Sequence, residues 1–223
     1  MNKDISNSIF KNPAAVLFDL DGVLINSSVM HNKCWNLAVK NLTGKEIKTE
    51  NEYHGHGASS AEIAQLLLNK VKEKLTLETL LKEKNRLLHL HENLPPLLPG
   101  ALNVIDFYSS YPSAIVTNGS REFAKHIIKS YNLNIKITIG YEDYINPKPD
   151  PDPYLRALQT LNISKKQKVL AFDDSIVGLT SALKAGCIPI GIDTRGRISN
   201  NDISVQNFSD LQAFYSETIL YFV

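Results

Sequence analysis

The stretch Ala14-Ala15-Val16-Leu17-Phe18-Asp19-Leu20-Asp21-Gly22-Val23-Leu24 decides how this chain is read. An apolar run of strand length ends in two carboxylates one residue apart, and a glycine follows. Alternate side chains of a strand point the same way, so Asp19 and Asp21 leave the end of a buried strand on one side, where a loop begins. Two like charges this close repel, and burying them is costly unless something positive sits beside them. A hard divalent cation with oxygen ligands, such as magnesium, is the natural neutraliser. A strand end followed by a solvated acidic turn is the plainer alternative, and the motif alone leaves both open.

Three further segments bear on the choice. The apolar run Ala114-Ile115-Val116 ends in Thr117-Asn118-Gly119-Ser120. Asn146-Pro147-Lys148-Pro149-Asp150-Pro151 holds a lysine between prolines. Lys168-Val169-Leu170-Ala171-Phe172 runs into Asp173-Asp174-Ser175, then Gly178 and an alanine-rich helical pattern. Each lies at the C-terminal end of an expected strand or within reach of it, the edge at which open parallel sheets bind ligands.

This ordered set of four resembles the haloacid dehalogenase superfamily, from about Val16 to Asp193, and is far more specific than Asp-x-Asp-Gly-Val alone. The resemblance implies that Asp19 is a nucleophile and Asp21 a general acid/base. It implies that Thr117, Asn118 and Lys148 hold the transferring phosphoryl group. It also implies a Mg2+ site made by Asp19, Asp21 through its backbone carbonyl, and Asp174, with Asp173 beside it. Many relatives have Glu-Asp at the last pair, so Asp173 is a shortened variant.

The chemistry of these residues agrees with that expectation. A carboxylate can attack phosphorus and split hydrolysis into two easier steps, and a bridging cation relieves its repulsion from the phosphate. Asp21 is close enough to protonate the leaving oxygen and then deprotonate water. Lys148 supplies a point charge, and the backbone amides of Asn118 and Gly119 form a candidate anion nest.

The bulk composition narrows the class. With 223 residues and 43% hydrophobic content, the chain suffices for one large domain or two small ones. Its 24 basic and 23 acidic residues leave a net charge of +1 without a basic stripe, which argues against a nucleic-acid partner. No apolar segment has membrane-spanning length, and the polar start Met1 to Lys11 lacks the apolar centre of a signal peptide. Cys34 and Cys187 read as small buried residues in a reducing setting. The expectation is a cytoplasmic monomer or weak dimer acting on a small phosphorylated metabolite, with no membrane partner.

Strand patterns at 14–19, 113–117, 136–139, 169–173 and 188–192 alternate with helical patterns at 123–131, 153–161 and 176–185. That alternation predicts an α/β fold, a Rossmann-like parallel sheet core. The gap between the first two strands is too long for one crossover helix. It contains helical patterns at 28–42, 59–71 and 77–91, then Pro95-Pro96-Leu97-Leu98-Pro99-Gly100 as a stiff return. We expect residues 28–95 to form an inserted small α-helical cap domain, with the catalytic core at 1–27 and 96–223.

Three cap histidines are candidate specificity residues: His31, one turn before Trp35, and the pair His54 and His56. His31 also has a structural reading. His54-Gly55-His56-Gly57 lacks a third ligand for a metal site and is read as a specificity loop.

Asp21 separates branches within the resemblance, because dehalogenases and phosphonate-cleaving relatives lack it. Phosphoryl transfer remains. The β-phosphoglucomutase branch shares the first motif, a histidine like His31 and a string like Lys82-Glu83-Lys84-Asn85. It also uses a cap arginine where this chain has Ala58, and a serine where this chain has Thr117. Lys148-Pro149-Asp150-Pro151-Asp152-Pro153 resembles the phosphoglycolate phosphatase side. A magnesium-dependent phosphatase is therefore the leading expectation and a sugar-phosphate mutase the alternative. A non-catalytic regulatory or binding protein on the same fold is the third reading.

Overall fold

The computed structural model describes residues 8–47, 58–91, 93–164, 166–194, 196, 198 and 206–218. Strand β1, Ala15–Phe18, is buried along its whole length. Its residues alternate between two apolar layers. Val16 and Phe18 join a cluster with Ile115, Leu170 and Phe172, whereas Ala15 and Leu17 join one with Ala114, Val116 and Ala171. Burial on both faces explains why the strand is an apolar run rather than an alternating one.

The other strands are β2 (Ser113–Val116), β3 (Ile137–Ile139), β4 (Val169–Asp173), β5 (Ile188–Ile192) and β6 (Gln206–Phe208). Among the described residues they form one sheet in the order β3-β2-β1-β4-β5-β6, with every neighbouring pair parallel. β1 is central, and the ends of β2 and β4 flank the end of β1.

Between β1 and β2 run α1 (Ser28–Thr43), α2 (Ser60–Val71) and α3 (Leu77–His89). Trp35, Val39, Ile63, Leu67 and Leu80 give these helices an apolar cluster of their own. Ser59 caps α2 in a reciprocal box with Glu62. The chain enters and leaves this segment side by side: Asn26 N–H donates to Pro96 O at 2.8 Å and Leu98 N–H to Leu24 O at 2.9 Å.

The remaining helices are α4 (Ala101–Phe107), α5 (Arg121–Tyr131), α6 (Asp152–Thr160), α7 (Ile176–Lys184) and α8 (Leu211–Thr218). α4, α5 and α8 pack on the face holding Phe18 and Phe172, and α6 and α7 on the other. Ser120 and Ser175 cap α5 and α7 through Phe123 N–H and Gly178 N–H. Gly186 follows α7 with φ 87°, the left-handed stop its position predicts.

Four elements escaped the sequence reading: α4, α8, β6 and a 3₁₀ helix at Tyr141–Asp143. α4 follows the proline-rich return directly and has no side-chain cap, yet Ala101, Val104, Ile105 and Tyr108 are buried at helical spacing. β6 has three residues and none is buried. Both cysteines are buried and free. Among the described residues no helix is long and apolar enough to cross a membrane.

Candidate active site

The C-terminal ends of β1, β2 and β4 deliver Asp19, Thr117 and Asp173 to one place. Asp19 N–H donates to Phe172 O at 2.8 Å, so the first carboxylate is fixed at the point where β1 parts from β4. Lys148 arrives from the loop after β3 and is 5% exposed. Its ammonium donates to Asp19 Oδ1 at 2.8 Å, Asp173 Oδ2 at 2.8 Å and Val116 O at 2.9 Å. Its three N–H bonds are thus matched by three acceptors.

Asp173 is held as firmly. Its Oδ1 accepts from the Ser175 amide at 3.0 Å and the Ser175 hydroxyl at 2.8 Å. Its Oδ2 accepts from Lys148 and, at 2.9 Å, from the Tyr154 hydroxyl. Burial and the neighbouring Asp173 push the Tyr154 phenol well up, so it stays a protonated donor. A Cβ built on Gly178 would fall 1.9 Å from Asp173 Oδ2, so this carboxylate needs a glycine opposite it.

One ammonium therefore serves two buried carboxylates. Burial pushes the Asp19 carboxyl up to about 7, with Asp173 and Asp21 adding to the rise and Lys148 opposing it. The Lys148 ammonium is held well above its usual value by both carboxylates despite burial. Lys148 stays charged, and Asp19 is the carboxylate left under-compensated.

Asp21 has its own partners. Its Oδ1 accepts from the Ser27 hydroxyl and lies 3.1 Å from His31 Nε2. Burial alone would raise its carboxyl, but His31, Ser27 and Lys84 hold it well below the ordinary range. Burial and Lys84 in turn push His31 below its usual value. His31 thus holds Asp21 chiefly as a hydrogen-bond partner, with Ser27 and Lys84 adding to the effect.

Among the described residues no three His, Cys, Asp or Glu side chains meet in a metal-binding arrangement. The donors that fit a hard cation here are two carboxylates with a backbone carbonyl. Gly22 has φ 91°, and a Cβ built on it would fall 2.0 Å from Asp174 Oδ2. The Asp174 carboxylate thus leans on the backbone next to Asp21, two residues from Asp19. With Asp19 under-compensated, these oxygens suit Mg2+.

Thr117 Oγ1 accepts from Gly119 N–H at 2.9 Å, which leaves its hydroxyl proton available to an anion and takes the Gly119 amide out of the expected nest. Asn118 Oδ1 accepts from the Tyr144 hydroxyl at 2.9 Å and the Lys148 amide at 3.4 Å. That side chain ties the β2 loop to the Lys148 loop.

The cleft measures about 670 Å³ counting its open mouth, and α1, α2 and α3 roof it with His31, Trp35, Ser60, Ile63 and Lys84, joined by Ala58 from the segment before α2. Lys84 is 1% exposed, with its ammonium 5.2 Å from the centre of the Trp35 ring. Burial pushes that ammonium down to about 8, against the pull of Asp21. From sequence, Lys84 stands only in the string Lys82-Glu83-Lys84-Asn85, with no role assigned in the cleft. The available signal was a cation on the apolar stripe of α3, four residues after Leu80 and four before Leu88. Ser27, Tyr154 and Ser175 were not anticipated as site residues. His54 and His56 lie outside the described residues.

The sequence pattern of the haloacid dehalogenase-like hydrolases matches residues 16–192. The chain belongs to this family. Among similar proteins of this haloacid dehalogenase-like hydrolase, 2-deoxyglucose-6-phosphate phosphatase 1 of Saccharomyces cerevisiae is 30% identical over 195 residues, 79% of this chain and 78% of that protein. Hexitol phosphatase A of Escherichia coli is 28% identical over 194 residues, 79% and 82% of the two chains. Among solved structures, β-phosphoglucomutase from Clostridium difficile has the same fold with a TM-score of 0.75 at 16% identity, covering 95% of this chain and 99% of that one.

Proposed function

We propose that this hydrolase is a magnesium-dependent phosphatase that releases phosphate from a small phosphorylated metabolite, a sugar phosphate or a phosphoglycolate-like acid, through an aspartyl-phosphate on Asp19. The observation that carries the reading is the buried Asp19, joined by Lys148 to Asp173 and under-compensated, at a strand end beneath a roof containing Lys84. The named phosphatases among its relatives support the reaction class. Residues 28–95 act as a cap on a core of 1–27 and 96–223. Side-by-side connectors at Asn26 and Leu98 support those boundaries.

Asp19, Asp174 and the Asp21 carbonyl would hold Mg2+, which supplies charge neutralisation between nucleophile and phosphate. Asp19 forms a bond to phosphorus as the bond to the leaving alcohol breaks, and Asp21 gives that oxygen its proton. Water then attacks the phosphorus of the aspartyl-phosphate, Asp21 takes the water proton, and inorganic phosphate leaves. In the resting arrangement Asp21 is an ionised acceptor. Its proton for the first step comes from the substrate itself, when the phosphate monoester binds as its monoanion and passes that proton to Asp21, whose carboxyl the adjacent phosphate charge raises. Thr117 donates its hydroxyl to the phosphoryl group, and Asn118 contributes its backbone amide. Lys148 fixes Asp19 and reaches a phosphate oxygen only by exchanging one of its present acceptors. Asp173 serves as the anchor of Lys148, since four donors already occupy its oxygens.

Phosphate release from a panel of phosphorylated metabolites and a generic aryl phosphate tests the proposal. Activity is expected to disappear in excess chelator, to return with magnesium, and not to be supported by calcium, whose longer bonds and higher ligand number suit attack poorly. Full activity in chelator would remove the metal assignment. A second readout is thermal. Asp19 is protonated below about 7 and must ionise to become a ligand, so the gain in melting temperature from excess magnesium is expected to grow from about pH 5 to about pH 8. A gain independent of pH would exclude Asp19 from the site.

Lys84 keeps the mutase reading alive, because a mutase needs a cationic grip for a second phosphate. Ala58 lines the cleft where the mutase branch has arginine. β-Glucose 1-phosphate is therefore expected to yield free phosphate if it reacts, and rapid conversion to glucose 6-phosphate with little phosphate release would overturn the phosphatase assignment.

A further inference from the structure

A second hollow, of about 490 Å³ counting its mouth, opens beside the catalytic cleft. It lies between Leu81 of α3 on one side and Tyr141, Tyr144, Ile145 and Pro147 of the core on the other. Ser60 and Asn118 line both it and the catalytic cleft.

The polar atoms of its walls are largely spoken for. The Tyr144 hydroxyl donates to Asn118 Oδ1 at 2.9 Å, and the Tyr141 hydroxyl accepts from Asn85 Nδ2 at 3.1 Å. The Ser59 hydroxyl is committed to the α2 cap, donating to Glu62 Oε2 at 2.8 Å. What faces the space is ring surface and aliphatic carbon. Ile145 stands 90% exposed at the rim. Its loop is tied down, because the amides of Ile145 and Asn146 both donate to Asp152 Oδ2, at 2.9 and 3.1 Å. A branched apolar side chain held out on an anchored loop, over an apolar hollow, is a surface built for contact.

We propose that this hollow is the subsite for an apolar portion of the substrate's leaving alcohol, so that the enzyme prefers phosphate monoesters whose alcohol carries a hydrocarbon or aromatic group beyond the ester carbon. The inference rests on the phosphatase reaction proposed above and shifts its substrate from a plain sugar phosphate or phosphoglycolate-like acid to an ester whose alcohol also carries an apolar group. Attack by Asp19 in line with the breaking bond sends the leaving oxygen away from the sheet edge toward the helical roof. Asn118 follows Thr117 directly, so the hollow begins where the phosphoryl site ends. The walls offer a polyol few unsatisfied partners, whereas buried methylenes gain from leaving water.

The test compares ethyl phosphate with n-hexyl phosphate, whose leaving alcohols are chemically alike, in the full-length enzyme with magnesium. The proposal expects kcat/KM to be about tenfold or more higher for the hexyl ester. It expects the hexyl-to-ethyl ratio to fall about threefold or more in Ile145→Asn and in Leu81→Gln. The ratio cancels any general loss of activity in a variant. Hydrolysis of both esters with a ratio near one overturns the subsite and leaves the phosphatase reading intact. An unchanged ratio in the variants, with self-association in wild type that Ile145→Asn abolishes by sedimentation, assigns the hollow to a second copy and also overturns the proposal. No phosphate from either ester or from an aryl phosphate removes the phosphatase reading and the subsite together.

Discussion

Replacing Asp19 by asparagine is expected to abolish turnover and, in the metal-free protein, to raise stability. The amide is nearly isosteric and still offers Lys148 an acceptor, but it cannot form an acyl-phosphate. The expected loss is about 10³-fold or more, about 4 kcal/mol of transition-state stabilisation. The gain in stability follows from the shortage of positive charge. The folded Asp19 carboxyl sits at about 7, against an ordinary value of 3.8. Between those values the folded state holds a proton that the unfolded state has released, so this group's contribution falls as pH rises from about 4 to about 7 and is flat above. At pH 8 the deficit is at most about 4 kcal/mol, and asparagine removes it. His31 titrates in the opposite sense, since its folded value is lowered. The useful quantity is therefore the variant minus the wild type, measured by denaturant unfolding without divalent cations. That difference should widen from about pH 5 to about pH 8 and shrink when magnesium is added to the wild type. Turnover within tenfold of wild type would remove Asp19 as nucleophile, and a difference independent of pH would contradict the charge shortage.

Replacing Lys148 by methionine is expected to harm both stability and activity. The side chain is buried, and its ammonium is the cation that touches Asp19 and Asp173. Removing one partner from a buried ion group leaves uncompensated charge, typically costing about 3–5 kcal/mol. The cost should ease at low pH as Asp19 takes up a proton. The double variant with Asp19→Asn should be less destabilised than the sum of the two single changes, because the two residues share one interaction. Activity should fall by about 10³-fold, since both the nucleophile's position and the charge beside it are lost. Additive unfolding energies in the double-mutant cycle would show that the two side chains are not coupled.

How much of this was legible in the sequence depended on burial. β1 and β4 are packed on both faces, so their apolar runs and terminal carboxylates could be read directly. Asp19, Thr117, Lys148 and Asp173 come together because they occupy or approach adjacent strand ends, and strand ends are marked by abrupt polarity changes. α4 and α8 are short, with fewer turns in which a pattern can repeat, and β6 has no buried residue to create one. Sequence also does not encode which way a polar side chain turns. Asn118 was expected at the phosphate through its backbone amide, and the role of its side chain, whose Oδ1 accepts from Tyr144 and the Lys148 amide, was not legible. Asp173 was expected beside the metal site, and its service as the anchor of Lys148, with Ser175, Tyr154 and Lys148 on its oxygens, was not legible. Lys84 entered the sequence reading only through the string Lys82-Glu83-Lys84-Asn85, because the Trp35 ring its ammonium approaches lies on a different helix.

The central claim is covalent, so the most direct measurement is to trap the intermediate. Wild-type enzyme turning over an aryl phosphate with magnesium is quenched in acid within one turnover and reduced with borohydride, which converts an acyl-phosphate to an alcohol, and the digested chain is sequenced by mass spectrometry. The account predicts homoserine in place of Asp19, absent when substrate or magnesium is left out. Homoserine at a different aspartate, or rapid phosphate release with Asp19 always recovered as aspartate, would contradict it.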